Sequence, residues 1–207
     1  MFRMRGSKNL KIADTTDGAV RDEPFEHAFA IIDSCFIGAL ISGASVECVK
    51  AALSYGFLQV AGARRGLSRA AQNGWLGEPE FIWQLIIDAV IDELENFGDV
   101  FDLDEAEFDV EFLRNECRIA QGSLSEFEER RHSKISHLLL QQCLETLSRS
   151  LADARDVEIA FLVEWMKIAT ICGEFSVDEF AAVRANPSEV EASYSRVIEQ
   201  QVEELSS

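Results

Sequence analysis

The sequence has little of what a β-rich or disulfide-linked protein needs. Only 3 of its 207 residues are proline, and no Asn-Gly or Asp-Gly pair separates two strand-like runs, which argues against a fold built from hairpins. There is no Cys-x-x-Cys pair and no glycine-rich nucleotide loop, so the common zinc and dinucleotide motifs are excluded. Hydrophobic residues make up 47% of the chain, which is enough for a sizeable core.

What is present is the hydrophobic periodicity of helices, from about residue 24 to the end. We predict an all-α fold: a single compact domain of about seven to nine helices over residues 23–207, preceded by a flexible, mildly basic tail over residues 1–22. Three helices that are apolar almost all round should be central, at 24–42, 46–64 and 156–172. The other predicted helices are 79–97, 105–121, 126–151, a short helix after Ser176 and a last helix from Pro187.

Three junctions between predicted helices share the same pattern, in which a glycine ends one helix and a serine caps the next. They are Gly43/Ser45, Gly122/Ser125 and Gly173/Ser176. Their spacing is unequal, so we interpret them as repeated helix boundaries and not as a sequence repeat. The stretch ATICGEFSVDEF, residues 169–180, resembles the helix junction of tellurite-resistance-type helical domains, which have an acidic residue where Cys172 stands here. The resemblance covers a dozen residues, and we take no residue role from it.

The five cysteines are odd in number and far apart, and most of them lie in apolar helical runs. This pattern is typical of buried free thiols in a reducing cytosol, so we predict a cytoplasmic protein. The basic N-terminus, MFRMRGSKNLK, lacks the apolar region of a secretory signal. The most apolar run, 28–41, contains Asp33 and is shorter than the ~20 residues of a membrane span. We therefore predict a core helix there and no membrane segment.

Positive charge is scarce in this chain. It has 19 Lys and Arg residues against 37 Asp and Glu residues, a formal net charge of −18. Such a chain repels nucleic acids and anionic membranes, so we predict no direct contact with either. The charge suits a basic protein surface as the partner. High solubility and adaptation to salt are alternative explanations.

The negative charge is concentrated in one region. Between residues 70 and 113 there are thirteen acidic residues and no basic one. Within the densest part, residues 92–112, lie four phenylalanines, at 97, 101, 108 and 112. Asp88, Asp92 and Glu95 share one face of the predicted helix 79–97, opposite its apolar side. A plain solvated face is the alternative. The candidate partner-binding residues are Asp88, Asp92, Glu95, Asp99, Asp102, Asp104, Glu105, Glu107, Asp109 and Glu111.

The acidic region does not match a calcium loop that starts at Asp99 or at Asp102. Starting at Asp102, for example, places Ala106 and Leu113 at positions that need oxygen ligands. Glu129-x-x-His132 is half of a di-iron motif, and the chain has no second half. No local pattern indicates a nucleophile with its base. The sequence therefore predicts no catalytic residue, no metal site and no cofactor.

A basic junction, GARRGLSR at residues 62–69, is the other charged feature. Its side chains Arg64, Arg65 and Arg69 suit two roles, which are binding an anion such as phosphate and neutralising carboxylates of the same molecule. The excess of acid in the chain favours the second role.

The function predicted from these features is non-catalytic. We expect an acidic helical binding protein that docks a carboxylate-rich face, about 88–111, on a basic surface of a partner protein. An inhibitor, an immunity-type protein or an anti-defence regulator of a nucleic-acid-handling protein would have this character, including one that imitates nucleic acid. One alternative is a helical scaffold or homo-oligomer that uses the C-terminal helix as its contact, with the acid serving only solubility. Another is an enzyme whose site is assembled from distant residues.

Overall fold

The chain folds into helices that surround one buried central helix. A computed structural model describes residues 23–77, 79–94, 113, 126–150 and 152–206. Over these ranges there are eight helices and no strand, so the all-α prediction is confirmed. The helices are α1 Glu23–Ile41, α2 Val46–Arg64, α3 Arg69–Trp75, α4 Pro79–Leu94, α5 Glu126–Leu147, α6 Ala154–Cys172, α7 Val177–Ala185 and α8 Pro187–Ser206.

Helix α6 is the centre of the fold. Every residue from Val157 to Met166 is buried, as expected for a helix that is apolar almost all round. It packs most extensively against α2 and then against α1. Helices α2 and α6 are antiparallel, because Lys50 at the start of α2 pairs with Glu174 just after α6. Of the three helices predicted to be central, α6 is the buried one, and α2 and α1 are the two that pack most extensively against it.

The close approach of the helices occurs at a glycine that the sequence does not single out. A Cβ atom at Gly56 of α2 would lie 2.7 Å from Phe161 of α6 and 2.8 Å from Leu140 of α5. Only glycine lets these three helices meet so closely. Ser34, Gly38 and Ser42 are small residues spaced four apart on α1, a pattern that favours a close helix contact, but a Cβ atom at Gly38 would meet no atom of the described residues within 4 Å.

Two of the three predicted glycine–serine junctions lie in the described part of the chain, and both have the predicted form. Gly43 and Gly173 have positive φ angles of 93° and 83°, a conformation that glycine adopts without strain. Ser45 caps α2 by accepting a hydrogen bond from the Cys48 amide. Ser176 forms a reciprocal capping box with Glu179 at the start of α7. The third junction, at residues 122–125, lies outside the described residues.

The helix boundaries differ from prediction at two places. Helix α3 was not predicted, because its seven residues are too few to show a hydrophobic period. Helix α5 ends at Leu147, not near residue 151. There the hydroxyls of Ser148 and Ser150 donate to the carbonyls of Glu145 and Leu147, so side chains satisfy the last helical acceptors. The predicted tail 1–22 and helix 105–121 fall outside the described ranges, apart from Leu113, which packs against the core.

Aromatic rings fill the space between α2, α4, α6 and α8. Phe57 contacts both Trp83 and Tyr194 with ring centroids 5.2 Å apart, and Trp83 contacts Trp165 at the same distance. All three contacts are edge-to-face, the favourable geometry for aromatic pairs. The ammonium of Lys50 lies 4.6 Å from the Trp165 ring. Helix α8 is held through the apolar side of the helix, on which Val190, Tyr194 and Ile198 are fully buried.

Of the helices that pack around α6, α1 is the most apolar. Its 18-residue window Pro24–Ile41 is long and apolar enough to cross a membrane by length and composition alone, and 39% of the window is buried in the fold. The buried part includes Ala28, Ile32 and Phe36, which belong to the same core as α6.

Candidate functional site

The acidic stripe of α4 faces outward. Asp88 and Asp92 are exposed, while Trp83, Ile87 and Val90 are buried on the opposite side of the helix. Gln84 donates a hydrogen bond of 2.8 Å to Asp88 from one turn earlier. The predicted orientation of α4 is therefore correct. The other predicted partner-binding residues, Glu95, Asp99, Asp102, Asp104, Glu105, Glu107, Asp109 and Glu111, lie outside the described residues.

Helix α8 adds negative charge beside α4, which the sequence prediction missed. It is the helix that packs most extensively against α4, and its only basic residue is Arg196. Helix α4 has no basic residue. The acidic residues of α8 can be seen in the sequence. However, α8 lies about 100 residues from α4 along the chain, so the sequence does not indicate that the two helices are neighbours. Together they expose the six side chains that we name the α4–α8 carboxylates: Glu80, Asp88, Asp92, Glu189, Glu199 and Glu203.

Two of the three arginines of the basic junction, Arg64 and Arg65, bind carboxylates of the same chain. Arg65 donates to both oxygens of Glu158 at 3.1 and 3.0 Å. Arg64 lies 3.2 Å from the same carboxylate and also pairs with Glu191 of α8. These contacts direct both guanidinium groups into the fold and not toward an external anion. Arg69 lies in α3, and its side chain is not among those that the structure describes.

A third arginine completes this ion-pair network. Arg155 at the start of α6 pairs with Glu191 and donates to Ser188. Burial acts to raise the pKa of Glu191, but the hydrogen bonds and positive charges of Arg155 and Arg64 outweigh it, so the pKa is lowered. Burial, and after it the charge of Glu158, raises the pKa of the Tyr194 hydroxyl well above its usual range. The network therefore holds α2, α6 and α8 together.

A second charged cluster lies between α1, α6 and α7. Glu164 of α6 is fully buried, and neither carboxyl oxygen has a hydrogen-bond partner among the described residues. Burial is the largest cause of a pKa well above the usual range; the charge of Lys167 opposes the shift and that of Asp33 adds to it. Lys167 itself pairs with Asp33 of α1. The prediction missed Glu158 and Glu164, although an acid in a helix that is apolar all round must be buried.

The described cavities do not contain a catalytic arrangement. Two adjoining cavities of about 470 Å³ each lie between α2 and α5 and share Gln59, Leu144 and Ser148. Their only imidazole is His137, and the Ser148 hydroxyl donates to a backbone carbonyl instead of to a base. Within the described ranges no group of three or more His, Cys, Asp or Glu residues is placed to hold a metal ion. The side chains of Glu129 and His132 lie outside those described.

The chain was compared with protein-family models, with curated proteins and with solved structures, and it matches none of them.

Proposed function

We propose that this protein is a non-catalytic, cytoplasmic binding protein that docks the α4–α8 carboxylates on a basic surface of a partner protein. The observation that carries the proposal is where the charges lie. Nine Lys and Arg side chains are described, and six of them pair with carboxylates at contacts inside the chain. The six are Lys50, Arg64, Arg65, Arg155, Lys167 and Arg184, and the other three are Lys134, Arg149 and Arg196.

Among the residues that the structure describes, α4 and α8 have one basic residue, Arg196, beside the six α4–α8 carboxylates, so this pair of helices has a negative potential. A surface of one sign attracts a partner of the opposite sign over several ångströms and speeds its association. This surface repels nucleic acid, so nucleic acid itself is not the proposed partner. The proposed partner is a protein that handles nucleic acid, because such a protein has a basic surface. Inhibition is the natural outcome if the basic surface of the partner is also its nucleic-acid site.

Imitation of nucleic acid is a narrower form of this proposal. Asp88 and Asp92 are one turn apart, about 6 Å along the axis of α4, whereas one DNA strand has a charge about every 3.4 Å. Helix α4 alone is therefore too sparse. The exposed acids of α8 support the proposal because they raise the density of charge along the pair.

The scaffold alternative has less support from the structure. The apolar stripe of α8, through which an oligomer was expected to form, is buried within the chain at Val190, Tyr194 and Ile198. Among the described residues the large exposed apolar side chains lie on four different helices and are Ile41, Phe81, Leu138 and Val177. Scattered residues of this kind do not form the contiguous apolar patch of an obligate interface.

The test uses a charge reversal and a matched control. The variant Asp88→Lys/Asp92→Lys changes two exposed acids of α4, and Glu47→Lys/Glu145→Lys makes the same change in net charge on α2 and α5. Immobilised wild type and both variants are used to capture proteins from host lysate at about 0.1 M and 1 M salt, where the Debye length is about 10 and 3 Å. Association rates are then measured with the purified captured protein.

The proposal predicts that the α4 variant associates at least ~10-fold more slowly than the control variant at low salt. Salt should slow the wild type to a similar rate. Equal association rates for the two variants would contradict the proposal, because the effect would then follow net charge and not the α4–α8 carboxylates.

A further inference from the structure

Helix α1 is tied to the rest of the fold along one charged edge. Glu26, Phe29 and Asp33 are three and four residues apart, so they share a face of α1. Arg184 of α7 lies 3.4 Å from Glu26, and Lys167 of α6 pairs with Asp33. The same two cations flank the Phe29 ring, with Nζ of Lys167 5.7 Å and Cζ of Arg184 5.2 Å from its centroid. Two ion pairs therefore hold the first half of α1.

Beneath this edge lies the buried carboxyl group of Glu164, which interacts with the nearby carboxylate of Asp33. Glu164 precedes Lys167 by three residues on α6, so both side chains lie on the same face of the helix. The lysine has a flexible stem of four carbons, and its ammonium can turn from one acceptor to another. In the structure it pairs with Asp33, whose side chain is 32% exposed, while Glu164 is fully buried.

The groups that face Glu164 come from four helices. Asp33 comes from α1, Lys167 from α6 itself and Arg184 from α7. From α5 comes the buried thiol of Cys143, whose pKa is raised by burial, then by neighbouring Cys35 of α1, and also by Glu164. Both cations already have an acidic partner on α1, but the charge of Lys167 acts on Glu164 more strongly than that of Arg184 does. Lys167 is therefore the cation best placed to neutralise Glu164.

We propose that Asp33 and Glu164 compete for Lys167, and that this competition is a latch that sets how firmly the first half of α1 is held. With Glu164 protonated, Lys167 remains on Asp33 and α1 keeps both of its ion pairs. When Glu164 loses its proton, the buried carboxylate requires a counter-charge and takes Lys167 inward. Asp33 then faces solvent alone, and α1 retains only the Glu26–Arg184 pair.

The direction in which the latch responds to pH follows from the burial of Glu164. Burial favours the protonated carboxyl and raises the pKa of Glu164, so the latch is closed at any pH below that raised pKa. It opens as pH rises through the raised pKa of Glu164. The inference does not depend on the proposed docking function, because α1 and the α4–α8 carboxylates are separate parts of the molecule.

The test is amide hydrogen exchange of the full chain, with mass-spectrometric readout, from pH ~6 to pH ~9.5. Protection factors remove the intrinsic pH dependence of the exchange chemistry, so they report opening of the helix. The latch predicts that protection over residues 24–33 falls at least ~10-fold as pH rises, while peptides from α8 keep theirs. In Glu164→Gln, whose amide cannot ionise, protection of α1 should be independent of pH.

Two further variants separate the latch from a general loosening. Lys167→Met removes the shared cation, so α1 should have low protection at every pH. Arg184→Met removes the other ion pair and should lower protection while leaving the pH-dependent step in place. A pH-dependent loss that persists in Glu164→Gln, or one of equal size in α1 and α8, would overturn the inference. So would constant protection of wild-type α1 over the whole range.

Discussion

Helix α6 contains two buried glutamates, Glu158 and Glu164, and the two differ in the charged partners that surround them. Glu158, near the start of the helix, receives Arg64 and Arg65 from α2. Glu164, less than two turns later, has no hydrogen-bond partner among the described residues and has a pKa well above its usual range because of burial. The Glu158 carboxylate is held by two guanidinium groups. At Glu164, burial favours the protonated form.

The difference teaches that burial alone does not determine the charge state of an acid. A guanidinium remains protonated at any pH the fold survives, and it offers several donors in a fixed plane. Lys167 is instead a mobile cation that already has another partner in Asp33. We therefore expect Glu158 to act as a structural tie and Glu164 as a group that responds to pH. Four predictions test this comparison.

The largest effect is expected from removing the partners of Glu158. Arg64→Met/Arg65→Met leaves that carboxylate buried and uncompensated and also removes one cation from Glu191. The free energy of unfolding should fall by ~3–5 kcal/mol, measured by urea denaturation at neutral pH. Arg149→Met is the control, because Arg149 is exposed, and it should change stability by less than ~0.5 kcal/mol. An equal effect of both variants would refute the role of the network.

Replacing each glutamate by leucine should have effects of opposite sign. Glu164→Leu removes an unsatisfied buried polar group and should stabilise the protein by ~1–3 kcal/mol at neutral pH. Glu158→Leu leaves Arg65 without its carboxylate and should destabilise it by a similar amount. Thermal and urea denaturation of the two variants measure this directly. Destabilisation by both substitutions would mean that Glu164 also has a partner in solution.

The pH dependence of stability should identify Glu164 by its sign. The folded pKa of Glu164 is raised, so the contribution of this group to the free energy of unfolding is greatest below its unfolded pKa near 4.5. That contribution declines as pH rises toward the folded pKa. The decline should approach ~1.4 kcal/mol per pH unit. Glu164→Gln lacks this titration, so its advantage over the wild type should grow with pH and then level off. A difference that does not change between pH ~4 and pH ~9 would contradict the raised pKa.

The smallest effect is expected at Glu191, on the acidic side. Its folded pKa is lowered by Arg155 and Arg64 against the opposing effect of burial, so its contribution is present at neutral pH. That contribution is lost as pH falls below ~4.5 through the folded pKa. Glu191→Gln should therefore cost ~1 kcal/mol at neutral pH and progressively less in acid. Urea denaturation of wild type and variant from pH ~3 to pH ~7 measures the difference, and a cost that stays constant in acid would contradict it.

The fold could be predicted from sequence because its signals are local. Ser176 and Glu179 are three residues apart, and the period that buries Val190, Tyr194 and Ile198 repeats along one helix. Helix α3 could not be predicted in this way, because RAAQNGW is shorter than two hydrophobic periods. Likewise the boundary of α5 depends on serine side chains that the helical pattern does not specify.

The candidate site was predictable only in part, because its contacts join distant residues. The outward direction of Asp88 and Asp92 follows from the helical wheel of α4 alone. The pair of Arg65 with Glu158 spans 93 residues, and a period within one helix does not specify which helix lies opposite. The excess of acid did indicate that the arginines would bind inside the chain, since a buried carboxylate without a cation is costly.

The buried aromatic rings between α2, α4, α6 and α8 also give the protein an intrinsic optical signal. All three tryptophans are buried, so their fluorescence should be blue-shifted in the folded state and move to longer wavelength when water reaches the indoles. Trp83 and Trp165, with ring centroids 5.2 Å apart and planes at 65°, are close enough for their excited states to couple. The ammonium of Lys50 beside Trp165 adds a local electric field to that signal. Loss of order where α4 meets α6 would therefore be seen in near-ultraviolet circular dichroism without any added label.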